Sequence, residues 1–405
     1  MNHFGLVRTL EKDLEQFDMQ GKAPSAAPLK MLFVTALPEN MGEENKMLEI
    51  EEEQKRLIDA IGSFEATGGQ PKIVIEFLDT ASLVEIGEAL QKHQHDILHI
   101  SGHGSYDPKV NQWVLHLEDE DGNHFEVLGK ELGETLRKHQ CVKLLILSAC
   151  ETAIAGNGVV EQLAEFGLPS IIAMRFSVTD MGAKIFTTAL YEALTKAETL
   201  TQAIAQAREH LWDYVKQARE REPNRPHLSE WFTPVVYLNQ YTEALVNLKE
   251  KYVLPEDFYP RSEFLKSKNT RLIGSGFIGR KRYLNALRRS FAKGEHVCLH
   301  GLGGMGKTTL AEAFAHNYEN HNHEVIIFRN GNQIAEKYIL DELFARFEND
   351  ETVNKNTVRQ IKQYLESDAN PQEKLQVLID NYLKNRKTIL VFDNFEDVQK
   401  SEEGE

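Results

Sequence analysis

The chain has 405 residues, of which 41% are hydrophobic and 9% aromatic, enough for two domains of roughly 150 to 200 residues with separate cores, so disorder is excluded as its class. A formal net charge of −16 argues against a general nucleic-acid or anionic-membrane surface, because phosphate binding depends on clustered Lys and Arg. No apolar run approaches the roughly 20 residues of a membrane span, and MNHFGLVRTLEKDLEQF has the period of a soluble helix rather than a signal peptide, which points to a cytoplasmic protein.

Residues 1–28 read as an N-terminal helix followed by the linker GKAPSAAP. A first domain opens at Leu29 with the strand LKMLFVTAL. Residues 45–61 then carry Met47, Ile50, Leu57, Ile58 and Ile61 at helical spacing, with EIEEEQKR as a solvated face. PKIVIEFL is a second strand, residues 82–92 a helix and DILHIS a third strand. This alternation is the signature of an α/β sheet covered on both faces.

HISGHG at 99–104 ends the third strand, and WVLHLEDEDGNHFEV predicts a hairpin around Asp121-Gly122. A helix over 129–138 leads to the strand VKLLIL and then to LSACET at 147–152. VVEQLAEFG is a helix ending at Gly167, LPSIIAMRF a buried strand, and residues from Thr179 to about Lys216 two helices parted near Thr199. WFTPVVYLN is the last strand. The first domain therefore covers 29–240, a polar connector 241–270, and a second domain 271–405.

In a parallel sheet, sites form in the crevice beyond the carboxyl ends of the strands, so His103 and Cys150 can face one another if their strands are neighbours. Three cysteines do not make a disulfide framework. Cys141 and Cys298 read as small buried apolar side chains, whereas Cys150 lies past its strand. A thiol with pKa near 8.5 becomes a useful nucleophile when an imidazolium lowers that value, and His103 would supply the field. Gly102 and Gly104 would let a substrate backbone approach, and the N–H groups of Gly104 and Cys150 could receive an oxyanion. His93, His95, His99 and His103 invite a metal reading, but with no carboxylate or second cysteine motif to complete a set the expectation is no structural zinc.

In the second domain, HVCLHGLGGMGKTT places Gly301, Gly306, Lys307 and Thr308 in the P-loop pattern, with a strand expected before and a helix after. Backbone N–H groups and the helix N-terminus would cradle phosphates, Lys307 would reach the terminal ones, and Thr308 would hold Mg²⁺. KTILVFDNFED is an apolar strand ending at Asp393, the place for a carboxylate that helps hold the ion. The sequence stops a dozen residues beyond, which gives the expectation of an incomplete nucleotide-binding domain.

ILHISGHG, LLILSACETA, EFGLPSIIAMRFSVTDMGA and WFTPVVY resemble the CHAT family of caspase-like cysteine proteases over about residues 30–240. The resemblance implies a caspase-like α/β/α sandwich with a mostly parallel sheet, a catalytic pair His103 and Cys150, and no cofactor for that domain. The pair are 47 residues apart, near the roughly 50 of caspases. It also places Ser148, two before the nucleophile, in the primary specificity pocket. Arg175 and Asp180 are further pocket candidates that read equally well as surface or helix-capping residues.

GFIGR, GLGGMGKTT and LVFDNFED resemble the STAND class of P-loop ATPases of the NB-ARC and NACHT kind. That resemblance implies ATP or ADP with Mg²⁺, phosphate contacts at Gly303, Gly304 and Thr309 as well, and an adenine-side linker at Phe277, Gly279 and Arg280. The combination implies a peptidase effector acting on a protein substrate and switched by nucleotide. The full-length protein would form a homo-oligomer when activated, in bacterial immunity or programmed cell death. A catalytically silent interaction module is the alternative.

Overall fold

The structure, a computed structural model, describes residues 7–9, 25–38, 73–149 except 79, 158–175, 179–222 except 197–198, 230–238, 245–253 except 252, 280–320, 323–329, 334–384 and 386–395. It divides into two compact units, Met1–His296 and Val297–Glu405.

In chain order the first unit contains β1 (Val7–Thr9), β2 (Ser25–Ala27), β3 (Leu29–Thr35), β4 (Ile73–Leu78), α1 (Leu83–His93), β5 (Ile97–Ser101), β6 (His103–Asp107), β7 (Gln112–Glu118) and β8 (His124–Leu128). Then come α2 (Gly129–Lys138), β9 (Leu144–Ser148), α3 (Val159–Leu163), β10 (Ser170–Met174), α4 (Asp180–Thr195), α5 (Leu200–Arg221), β11 (Pro234–Leu238), β12 (Val246–Lys251) and α6 (Lys281–Ala292). Seven strands form one sheet in the order β1-β11-β10-β9-β5-β3-β4, parallel except where β11 runs against β10.

The central strands are mostly apolar because both faces are covered. Alternate residues divide between two cores. Met31, Phe33, Ile97, Leu144, Ile146 and Ile172 pack with Tyr191, Leu194, Ile204 and Leu211 of α4 and α5. Leu32, Val34, Leu98, Ile100, Leu145 and Leu147 pack on the other face with Ile86, Leu90, Leu132, Leu136 and Val160 of α1, α2 and α3. This is the expected α/β/α sandwich with its mostly parallel sheet.

Helix starts follow local chemistry. Ser82, Thr179 and Thr199 accept from the backbone N–H three residues on, and at Thr199 the Gln202 side chain returns the bond as a capping box. Gly167, in the left-handed region at φ 70°, stops the chain after Phe166 as expected.

Three stretches depart from the sequence reading. Val7–Thr9, within the expected N-terminal helix, is a strand added to β11. Ser25–Ala27 in the linker and Val246–Lys251 in the connector pair with each other, and Leu245 and Val246 join the core. Their own periodicity is weak, and the ladder partner more than 200 residues away is what orders them. The helix expected at 45–61 lies outside the described residues.

The second unit contains α7 (Lys307–Asn320), β13 (Glu324–Phe328), α8 (Glu336–Glu348), α9 (Lys355–Leu365), α10 (Pro371–Leu378) and β14 (Thr388–Phe392), with β13 and β14 parallel and in register. The strand expected at HVCLH is absent: residues 295–300 have no ladder, and Cys298 is exposed rather than buried. An apolar run becomes a strand only when a neighbour satisfies its N–H and C=O groups, and the described ladder in this unit joins β13 and β14 alone.

Candidate active site

The centre of the first unit's sheet holds the strands that lead into both expected reactive stretches. β5 and β9 are adjacent and parallel, with Ser101 opposite Ser148. The pairing runs one residue further, where Gly102 N–H donates to Ser148 O at 3.2 Å, and Ala36 N–H donates to Ser101 O at 2.8 Å. His103 therefore follows Ser101 by two positions, and in the sequence Cys150 follows Ser148 by the same number. Cys150 itself lies outside the described residues.

His103 opens β6, a strand the sequence reading did not anticipate. Gly104 lies within it opposite Leu115. At Gly102 an added Cβ would stand 3.0 Å from the Ala36 Cβ, so close packing under the chain accounts for this glycine, in place of the expected room for a substrate.

Beside His103 the hairpin carries a polar row. His103 is opposite His116 and His116 is opposite Glu126, which with the two-residue period of a strand also sets Ser105 and His124 on that face. Ser105 Oγ lies 2.7 Å from His116 Nε2, and His116 Nδ1 lies 2.7 Å from His124 Nε2. Two imidazoles joined in this way share one proton between the facing nitrogens. Burial, helped by the charges of His124 and His103, lowers the His116 pKa to about 4, so this neighbour of His103 is neutral at neutral pH.

Two buried groups below the strand ends have roles that the sequence did not show. His99 is fully buried, with Nδ1 2.9 Å from the Tyr191 hydroxyl and Nε2 2.9 Å from Ser148 Oγ, and burial lowers its pKa to about 3. It is a core histidine that fixes the end of β9. The Ser148 hydroxyl expected in the specificity pocket is the one that meets it. Glu118, written in the sequence as part of an acidic turn, is buried; it accepts from Leu37 N–H at 2.7 Å and Ala81 N–H at 3.0 Å and pairs with Lys281 Nζ at 3.0 Å. Lys281 also donates to the Thr35 carbonyl. These bonds tie the chain beyond β3 and the turn before α1 to the hairpin that carries His116.

The other pocket candidates follow β10. Arg175 donates its backbone N–H to Thr233 O at 2.9 Å, and Asp180 is the first residue of α4. Glu230 holds the intervening corner by accepting from Thr179 N–H at 3.2 Å and Thr179 Oγ1 at 3.0 Å.

In the second unit Gly301, Gly303, Gly304 and Gly306 form the loop ahead of α7, which starts at Lys307 and includes Thr308 and Thr309. Gly304 and Gly306 both have φ 76°. Lys307 Nζ folds back to Gly301 O at 3.0 Å and Leu302 O at 3.4 Å. Thr308 Oγ1 donates to Asp393 at 2.9 and 3.0 Å from its two oxygens, so the two residues expected beside Mg²⁺ meet. Arg280 stands ahead of α6 at φ 56°; Phe277 and Gly279 lie outside the described residues.

The CHAT domain family matches residues 8–237, more than half of the sequence. The chain belongs to the CHAT family. The NB-ARC domain, a P-loop NTPase, matches residues 281–403. No curated protein matches the sequence. Among solved structures, the CHAT chain is similar to the Arg specific cysteine proteinase gingipain R at 12% identity, over 56% of this chain and 49% of that one, with a TM-score of 0.36. It is also similar to the Saccharomyces cerevisiae separase–securin complex at 12% identity, over 53% and 13% of the two chains, with a TM-score of 0.30. A secreted C11 cysteine protease from Bacteroides thetaiotaomicron, in complex with an irreversible peptide inhibitor, is 10% identical over 47% and 59%, with a TM-score of 0.33. The match thus spans about half of gingipain R (49%) and a small part of the separase chain (13%).

The remaining thiols of the CHAT chain differ sharply from each other. Burial pushes the Cys141 pKa up to about 11, while Cys298 is exposed. Among the histidines, the structure overturns the ground for expecting no metal set at His93 and His95, since a carboxylate does join them: Glu76 Oε2 lies 2.7 Å from His93 Nδ1 and 2.8 Å from His95 Nε2. Glu76 is 17 residues earlier than His93 and on another element, so spacing along the chain did not reveal it. No helix among the described residues is long and apolar enough to cross a membrane.

Proposed function

We propose that this CHAT protein is a cysteine endopeptidase that cleaves a protein partner through His103 and Cys150, under the control of its nucleotide-binding unit. The observation that carries the reading is the register of β5 with β9, which brings the two chain segments out at one sheet edge, together with membership of the family. In this mechanism the Cys150 thiolate adds to the scissile carbonyl carbon, and the oxyanion is received by the backbone N–H groups of Gly104 and Cys150. The C–N bond then breaks as the His103 imidazolium gives its proton to the leaving amine. Water, deprotonated by His103, hydrolyses the thioester and restores the thiolate. Ser148, Arg175 and Asp180 border the site as its specificity candidates.

The P-loop fits a nucleotide with Mg²⁺: an added Cβ at Gly301, Gly303 or Gly304 would meet nothing within 4 Å, so there is open space beside these loop residues. Lys307 and the loop N–H groups would hold phosphates, with Thr308 and Asp393 beside the ion, and the ion would neutralise phosphate charge. We assign this unit the switch that assembles the protein into an active homo-oligomer, an arrangement suited to bacterial immunity or programmed cell death.

The test is the alkylation rate of each cysteine against pH, by peptide mapping, in the unmodified chain and in His103→Ala. Cys150 is expected to outrun exposed Cys298 at about pH 6 to 7 and to lose that lead without His103, with Cys141 slowest. Equal rates for Cys150 and Cys298 in both proteins, with ATP and Mg²⁺ present, would favour the silent interaction module instead.

A further inference from the structure

Glu76, His93 and His95 form a cluster that the peptidase reading leaves unused. They come from three places: Glu76 from edge strand β4, His93 from the last turn of α1, and His95 from the corner before β5. Gln94 between the histidines takes the left-handed conformation, φ 53° and ψ 57°, and its N–H closes the helix on Leu90 O. That reversal lets residues 93 and 95 face the same strand. Their rings stand at 71° with centroids 5.9 Å apart, and both aim one nitrogen at a single oxygen of Glu76.

We propose that Glu76, His93 and His95 are the protein ligands of one divalent transition-metal ion of the zinc class. The three donor atoms lie within 4.8 Å of one another. Two imidazoles and a carboxylate are a borderline donor set that suits Zn²⁺ and Co²⁺ and disfavours Mg²⁺ and Ca²⁺, which take all-oxygen shells. Bonds of about 2.0–2.2 Å to a tetrahedral ion separate donors by roughly 3.3 Å, so the present 2.7 and 2.8 Å contacts need to open by only about half an ångström. The ion would take the place of the protons that now bridge the carboxylate to each ring. The histidine side chains are 1% and 0% exposed, while Glu76 keeps 24% of its surface exposed, which gives water a way to the fourth position.

The second His and Glu cluster, His116, His124 and Glu126, is the weaker candidate. There both nitrogens of His116 are already engaged by Ser105 and His124, and Glu126 is exposed. The consequence of the first site is structural: among the described residues β4 pairs with β3 alone, and the ion would fasten this strand to the corner between α1 and β5.

The test uses the full chain after chelator treatment, with excess Mg²⁺ to occupy oxygen-rich sites. Zn²⁺ is titrated by calorimetry and Co²⁺ by visible absorption. The expected result is one high-affinity ion per chain, with Co²⁺ bands of a nitrogen and oxygen shell and no thiolate charge-transfer band. Affinity should fall by about a hundredfold or more in His95→Ala and in the near-isosteric Glu76→Gln, while His124→Ala binds as the unmodified chain does. Circular dichroism of each variant without metal confirms that it is folded. No stoichiometric ion, a thiolate band, or loss of binding in His124→Ala with retention in Glu76→Gln would overturn the assignment.

Discussion

Glycine serves opposite purposes in the two units. In the first, a Cβ on Gly129 would lie 2.5 Å from the Val159 carbonyl oxygen, and one on Gly133 would lie 2.3 Å from the Phe166 ring: these glycines stand where nothing larger fits. In the second, Gly304 has a positive φ and open space around it, so it is there for the path of the backbone. The first unit is packed to hold two strand ends at a fixed level, and the second has a loop with open space beside its glycines. One is built for rigidity, the other for access.

Substitutions to alanine should separate the two cases. Gly129→Ala pushes a methyl group against backbone, which cannot turn aside as a ring can, and is expected to cost about 3 kcal/mol or more of the first unit's stability by chemical denaturation. Gly133→Ala should cost less, because Phe166 is a side chain. Equal and small losses at both would mean that α2 and α3 are not packed this closely. In the second unit the corresponding loss is one of binding. Lys307→Ala takes away the charge proposed to meet the phosphates and is expected to weaken ATP binding about a hundredfold, or about 2.7 kcal/mol, by calorimetry, with no change in secondary structure.

The sequence revealed the parts whose physics is local. Continuous apolar runs gave the central strands, Thr199 and Ser82 gave helix starts, and Asp121-Gly122 gave the hairpin. GLGGMGKTT gave the loop ahead of α7, and the motifs gave the family. What remained hidden depends on partners far along the chain. β2 is ordered by β12, Glu76 meets histidines from another element, and Glu118 is buried because three separate segments bring it donors. HVCLH failed for the converse reason, an apolar run with no described ladder beside it.

The rigid unit also carries a proton-linked cost that its buried histidines impose. His99 titrates at about 3 in the fold against 6.5 when free, so between those values the unfolded chain binds the proton and the native one does not. Stability therefore falls as pH drops below about 6.5, by about 2 kcal/mol at pH 5 from this residue. His116, at about 4, adds a slope of the same sign, and Glu76 adds a loss only below about 4.5. His99→Gln should flatten the dependence of unfolding free energy on pH between 7 and 5. An unchanged slope would mean that His99 is protonated in the fold, and with it that the end of β9 is wetter than its burial implies.

The smallest expected effects test whether both units are cooperative folds. Thr199 caps α5 in the first unit, and Asn370 caps α10 in the second, where its Oδ1 accepts from Gln372 N–H at 2.8 Å and Pro371 follows at the first helical position. The chemistry is the same, so Thr199→Ala and Asn370→Ala should each cost about 1 kcal/mol if each helix melts with the unit around it. α10 joins the core of its unit through buried Leu378 and partly buried Leu375 and Val377, in one cluster with Leu343 and Phe347 of α8. A full loss at Asn370 shows that this contact transmits the cap to the rest of the unit. Fraying of α10 alone, with hydrogen exchange faster there and unchanged in α7, would confine the effect to the helix and leave the phosphate loop supported by β13 and β14 without it.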